Sequence, residues 1–140
     1  KEQVEQCSNV TNMGFLQGKV LSKVIEEARF CVIPSEWYEN CPFSVMEAIS
    51  FGTPMLGSKL GGIPELIRDG ETGELFEAGN VEALTEKIRS LWTDRRKCQQ
   101  YTDNCRKTCF DSVAEYTNKL LRLYRDESET ENPSCEPMER

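Results

Sequence analysis

The chain has 140 residues, a length suited to one domain around one core, and its apolar and charged fractions are those of an ordinary soluble globular protein. A net charge of -7 argues against a nucleic-acid surface, because holding a phosphate backbone needs clustered Lys and Arg. No apolar run approaches the roughly 20 residues of a membrane helix. No signal peptide is visible in a sequence that starts at Lys1 rather than at Met.

Helical and strand-like patterns alternate, the signature of a parallel sheet with crossover helices. Residues 10–16 read as a short strand closed by a Gly-containing turn. Residues 19–28 follow as a helix with Val20, Leu21, Val24, Ile25 and Ala28 on one face. Residues 30–34 form a compact apolar run of the kind found in strands buried on both faces. After the polar and aromatic residues 35–41, Pro42 suits the first turn of a helix that runs to about Phe51 and stops at Gly52. Residues 54–58 are a second buried strand, followed by the Gly61-Gly62 loop and a short helix opened by Pro64. A turn at residues 69–73 leads into a short strand at 74–76. Asn80 caps a helix bearing Val81, Leu84, Ile88 and Leu91. Residues 95–108 read as a polar helix, and Ser112 with Glu115 makes a capping box for a last helix with Val113, Tyr116, Leu120, Leu121 and Tyr124 on one face. Residues 126–140 are acidic, polar and Pro-containing, the composition of a disordered tail.

The seven cysteines carry no obvious chemistry. Cys31 lies in an apolar run, where a thiol acts as a small hydrophobe. Cys98, Cys105 and Cys109 match no standard zinc spacing, and the chain has no histidine. Reduced thiols and no metal site are expected. The lack of histidine also excludes Ser-His triads within the chain.

The informative stretch is Pro34-Ser35-Glu36-Trp37-Tyr38-Glu39-Asn40-Cys41-Pro42-Phe43-Ser44-Val45-Met46-Glu47-Ala48-Ile49. A strand ends, a loop follows and a helix begins. Ligands of open α/β sheets sit beyond the carboxyl ends of the strands, and the start of such a helix presents unpaired N–H groups suited to a phosphate. The helix is apolar apart from Ser44, Glu47 and Ser50, spaced three apart, which predicts a buried helix whose Glu47 needs partners such as ribose hydroxyls. Equally open from these residues is a bland reading, in which Ser44 and Glu47 form a capping box and Glu36 and Glu39 are solvated loop acids.

This string, with Ala28-Arg29-Phe30 before it and Gly52-Thr53-Pro54, Gly61-Gly62-Ile63-Pro64-Glu65 and Asp69-Gly70-x-x-Gly73 after it, resembles the C-terminal domain of glycosyltransferase family 4, over roughly residues 10–124. The resemblance implies a Rossmann-like α/β parallel sheet with flanking helices and a helical C-terminus, the donor half of a two-domain GT-B enzyme. It implies sugar transfer from a nucleotide diphosphate sugar, UDP- or GDP-linked, to an acceptor hydroxyl on a sugar or lipid-linked glycan, with retained configuration and no metal or other cofactor. Glu39 then matches the catalytic glutamate beside the donor sugar, and Glu47 the one that bonds the donor ribose. Asn40, Cys41, Phe43 and Ser44 line the donor between them, while Pro42 has no N–H to offer. Gly61-Gly62 borders the donor pocket, and Glu65 serves the start of its own short helix.

The sequence also departs from the family pattern. Arg29, Lys59 and Arg68 do not match the basic pair that clamps the diphosphate, and no acceptor domain is present. The expectation is therefore a partial donor domain over residues 1–125, with its first strands missing and strands near Val10 and Phe30 separated by a gap. Such a chain is expected to be marginally stable and inactive alone, its last helix packing on an absent half. The expected location is cytoplasmic, with peripheral contact at the inner face of a membrane. Non-catalytic nucleotide binding and a purely structural role are the competing functions.

Overall fold

The computed structural model describes residues 7–125, so the tail expected at residues 126–140 lies outside the described residues. The elements are α1 (Gly18–Glu27), β1 (Cys31–Ile33), α2 (Phe43–Ser50), β2 (Met55–Ser58), α3 (Ile63–Leu66), β3 (Gly73–Phe76), α4 (Val81–Thr93), α5 (Arg95–Cys105) and α6 (Val113–Tyr124). The three strands are parallel in the order β1-β2-β3, with Cys31 beside Met55 and Met55 beside Gly73. This is the alternating α/β architecture that the periodicity predicts, with the helices as crossovers.

Side-chain alternation along β2 and β3 divides the core in two. On one face Met55 and Leu75 pack with Val45, Ala48 and Ile49 of α2, Ile63 and Ile67 around α3, and Cys105 at the end of α5. On the other face Leu56 and Phe76 pack with Leu91 of α4 and with Cys98 and Tyr101 of α5. Ile49, Leu56, Ile63 and Leu91 are completely buried, each contributing roughly 1.5–3 kcal/mol of transfer free energy. Glycine at position 73 is required by close approach: a Cβ there would stand 1.9 Å from the Met55 carbonyl oxygen. The strands could not pair around a larger residue.

Several expectations are corrected. Residues 10–16 form no strand. Asn12 Oδ1 accepts the Gly14 amide (2.9 Å), a local bond that competes with a ladder, and Gly14 takes φ 67°. The described sheet therefore starts at β1. β1 is not buried on both faces: Cys31 and Ile33 are half-buried and Val32 is exposed, because β1 is an edge among the described residues. The helix α2 is not buried all round either, since only Val45, Ala48 and Ile49 are buried while Phe43, Ser44 and Glu47 face outward. α5 ends at Cys105, short of Thr108. The remaining helix signals hold: Asn80 accepts the Ala83 amide, and Ser112 and Glu115 form the expected capping box. No described helix is long and apolar enough to cross a membrane.

Candidate functional site

The site is built on the carboxyl end of β1. Pro34 ends the strand, and Ser35 turns inward, 5% exposed, where its carbonyl accepts a hydrogen bond from Ser58 Oγ at the end of β2 (2.8 Å). Its own hydroxyl donates to Glu39 Oε1 (3.2 Å), and Trp37 Nε1 donates to the same oxygen (2.9 Å). Two donors therefore fix the orientation of a half-buried carboxylate at the mouth of the crevice. Glu39 is not a merely solvated loop acid; Glu36, which is exposed, can be one.

The loop after β2 clamps this loop from the other side. Gly62 N–H donates to the Glu39 carbonyl (2.7 Å). A Cβ on Gly61, whose φ is 58°, would stand 2.3 Å from that carbonyl oxygen, and one on Gly62 would stand 1.9 Å from the Asn40 carbonyl oxygen. The glycine pair is thus required by backbone-to-backbone contact with the Glu39-Asn40 segment. Asn40 and Cys41 are exposed, with Cys41 Sγ 3.8 Å from Met46 Sδ.

The helix α2 begins at Phe43 behind Pro42, which supplies no side-chain cap. Ser44 therefore lies inside the first turn and the proposed Ser44–Glu47 capping box does not form. The amides of Phe43 and Ser44 have no acceptor among the described residues, as the first N–H groups of a helix require an outside partner. Glu47 stands one turn on, exposed, and no described side chain bonds its carboxylate. The structure so brings Glu39, Asn40, Cys41, Phe43, Ser44 and Glu47 into one strand–loop–helix unit. Of the cations considered from sequence, Lys59 pairs with Glu77 (3.3 Å), Arg68 with Glu71 (3.6 Å), and Arg29 stacks on Trp92; none pairs with Glu39 or Glu47. Sequence reasoning missed Ser35, Trp37 and Ser58 as the supports of Glu39, although a serine and an indole within four residues of an acid are the available signal.

A second ionisable cluster lies away from this unit and was also missed. Glu74, 2% exposed in β3, pairs with Lys87 of α4 (2.7 Å) and with Lys97 of α5, and Tyr101 donates to it (3.4 Å). Burial pushes the Glu74 carboxyl up, but hydrogen bonds and charges from Lys87 and Lys97 outweigh it, and the net shift is downward. The bond to Glu74 holds Lys97 above the usual lysine range, while burial raises the Tyr101 hydroxyl. Burial also raises the Cys31 thiol and pushes Cys105 up to about 11, where its Sγ donates to the Thr72 carbonyl (3.3 Å). These are inert packing thiols. Among the described residues no group of His, Cys, Asp and Glu is arranged to hold a metal ion.

The pattern has relatives. Residues 1–108 match the family model of glycosyl transferases group 1. The chain is 41% identical over 85 residues to a sulfoquinovosyl transferase of Arabidopsis thaliana, covering 59% of this chain and 16% of that protein. It is 32% identical over 113 residues to an alpha-maltose-1-phosphate synthase of Mycolicibacterium smegmatis, covering 75% of this chain and 29% of that protein. In structure it resembles the sucrose-phosphate synthase of Thermosynechococcus elongatus, with a TM-score of 0.76, 26% identity, and coverage of 89% of this chain and 32% of that one. The chain thus spans about a third or less of the length of these relatives. Its Rossmann-like sheet is that of GT-B glycosyltransferases, and the chain belongs to the family of glycosyl transferases group 1.

Proposed function

We propose that this chain forms the donor-binding part of a retaining glycosyltransferase that moves a sugar from a nucleotide diphosphate sugar to an acceptor hydroxyl. The observation that carries the reading is the Glu39 carboxylate, held by Ser35 and Trp37 four residues before a helix whose first amides, Phe43 and Ser44, and whose Glu47 carboxylate have no partner among the described residues. In this reading Glu47 accepts the ribose hydroxyls and the amides of the first turn of α2 face the diphosphate, where helix N–H groups and the partial positive charge favour an anion. Asn40 and Cys41 border the sugar. Glu39 accepts a hydrogen bond from the donor sugar and stabilises positive charge growing on it as the bond to the diphosphate lengthens. Because two donors already hold Glu39, little reorganisation is needed at that moment.

No metal takes part in this reading: the leaving diphosphate is met by the helix N-terminus and by basic side chains of the same enzyme outside the described residues. An acceptor-binding domain would complete the active site and take a sugar or lipid-linked glycan. The relatives carry different sugars in their names, so the donor sugar is not transferred from them.

The test is donor binding by calorimetry in the full-length protein. Glu47→Ala is expected to weaken the preferred UDP- or GDP-sugar by about 10- to 100-fold, the worth of a charged hydrogen bond, with an unchanged melt. In parallel, Glu39→Gln should lower turnover at least as far while donor affinity moves only a few-fold. Donor affinity untouched by Glu47→Ala would overturn the assignment and favour a structural role for α2.

A further inference from the structure

At the opposite end of β1 from Glu39 lies an open cleft of about 360 Å³ lined by Ala28, Arg29, Arg95, Cys98, Gln99 and Thr102. Arg29 immediately precedes the strand, and the other polar residues come from the first two turns of α5. The Arg29 Nη2 atom is buried and has no hydrogen-bond partner. Its guanidinium lies 5.2 Å from the centre of the Trp92 ring, a contact that does not satisfy its N–H donors.

The chain has 24 acidic and 17 basic residues, so acids are in excess. Even so, no described carboxylate pairs with Arg29 or Arg95. Asp94, the nearest acid in sequence to Arg95, accepts the Lys97 amide as the cap of α5 (3.0 Å), and Asp103 accepts from Gln99 Nε2 (3.0 Å). Arg29 and Arg95 both line this cleft, and leaving a buried guanidinium N–H unbonded costs more than leaving a neutral donor. An anion in the cleft offsets the charge of both side chains.

From this we infer that the cleft is a binding site for a phosphomonoester, distinct from the crevice at the carboxyl ends of the strands. A phosphate dianion matches two guanidiniums in charge and accepts from both forks, and the Thr102 hydroxyl can add a third donor. The Gln99 amide oxygen is available to a hydroxyl on the esterified group. The volume lies at the low end for small-molecule pockets, which fits a compact polar ester. The acidic balance of the chain favours a soluble ester over a lipid phosphate.

The experiment titrates the purified protein with inorganic phosphate and with glycerol 3-phosphate, following the Nε–H resonances of arginine by NMR, with chloride at equal ionic strength as the reference. Saturable shifts confined to two arginine signals are expected, assigned by their loss in Arg29→Lys and Arg95→Gln, each weakening binding by about tenfold. Arg96→Gln, which lies outside the cleft lining, and Glu47→Ala should bind as the parent does. Arg95→Gln alters an exposed side chain, so its result stands even if Arg29→Lys lowers stability. Shifts equal to those in chloride, binding unchanged in Arg95→Gln, or binding abolished by Glu47→Ala would each overturn the proposal. Binding to vesicles containing phosphatidic acid with none to either soluble ester would overturn it as well, in favour of a lipid surface.

Discussion

The two sides of the sheet are held differently. Every residue of β2 and β3 is buried, and the helices α2, α4 and α5 each contribute fully buried side chains. On the β1 side, α1 has no buried residue and Val32 is exposed. The last helix, α6, has no buried residue either. The candidate site straddles this boundary. Glu39 belongs to the loop after β1, yet Ser58 and Gly62, both from the β2 side, hold that loop through Ser35 and through the Glu39 carbonyl. The better-packed half thus fixes the loop carrying Glu39, which its own strand would hold weakly.

The largest effect that tests this contrast is Gly73→Ala. The new Cβ meets the Met55 carbonyl, which is backbone and cannot swing aside, so β2 and β3 must part. A loss of about 4 kcal/mol is expected in urea denaturation, above the usual range for overpacking. A loss below about 1 kcal/mol would mean that the strand pairing is looser than the buried register indicates. Next comes a pair of leucines. Leu91→Ala should cost about 3 kcal/mol, because Leu91 is completely buried, whereas Leu123→Ala, 70% exposed on α6, should stay within about 0.5 kcal/mol. A cost above about 1 kcal/mol for Leu123→Ala would show that the face of α6 is covered in the folded protein, and the contrast between the halves would fail there.

Glu74→Gln is smaller and has a pH signature. Removing the carboxylate leaves two lysines short of a partner; since both are about a third exposed, water offsets part of the loss, and about 2 kcal/mol is expected at pH 7. The folded carboxyl titrates below its unfolded value, so the stabilisation is complete above about pH 4.3 and is lost as pH falls through the lower folded value. Lys97 is shifted upward, so its share persists to about pH 10.4 and is lost as pH rises through the higher folded value. The stability difference between parent and Glu74→Gln should therefore narrow at both extremes. A difference that is flat from pH 3 to pH 7 would contradict the ion-pair account.

The sequence reveals most where a short run decides its own structure. β2, the Asn80 cap and the Ser112–Glu115 box follow from local chemistry, and the tertiary packing agrees with it. Failures occur where the outcome depends on distant residues. Residues 10–16 have a strand's composition, but a strand needs a neighbouring edge, and Asn12 offers the chain a closer bond at Gly14. α2 carries apolar residues on most of its surface, yet Phe43 and Glu47 stay outside because the described chain places no element over them. The Glu74 cluster joins residues 13, 23 and 27 positions apart on three elements, and only a glutamate inside an apolar strand hinted at it. The Glu-x-x-x-x-x-x-x-Glu spacing was visible as a motif, whereas the clamping of Glu39 by Trp37, Ser35 and Gly62 depends on how two loops meet.

The smallest effect compares two helix caps of similar geometry in different surroundings. Asn80 accepts the Ala83 amide at 2.9 Å, and Ser112 accepts the Glu115 amide at 3.3 Å. Asn80→Ala weakens a helix whose Leu91 is locked into the core, so the loss passes to global stability, and the unfolding free energy should fall by about 1 kcal/mol. Ser112→Ala weakens a helix with no buried residue, which can fray without disturbing the sheet. Hydrogen exchange should therefore show faster amides across α6 in Ser112→Ala while those of β2 and β3 keep the parent rate. In Asn80→Ala the amides of α4 and of both strands should accelerate together. If Ser112→Ala also accelerates the strand amides, α6 is coupled to the core, and the contrast between well-packed and exposed elements fails there.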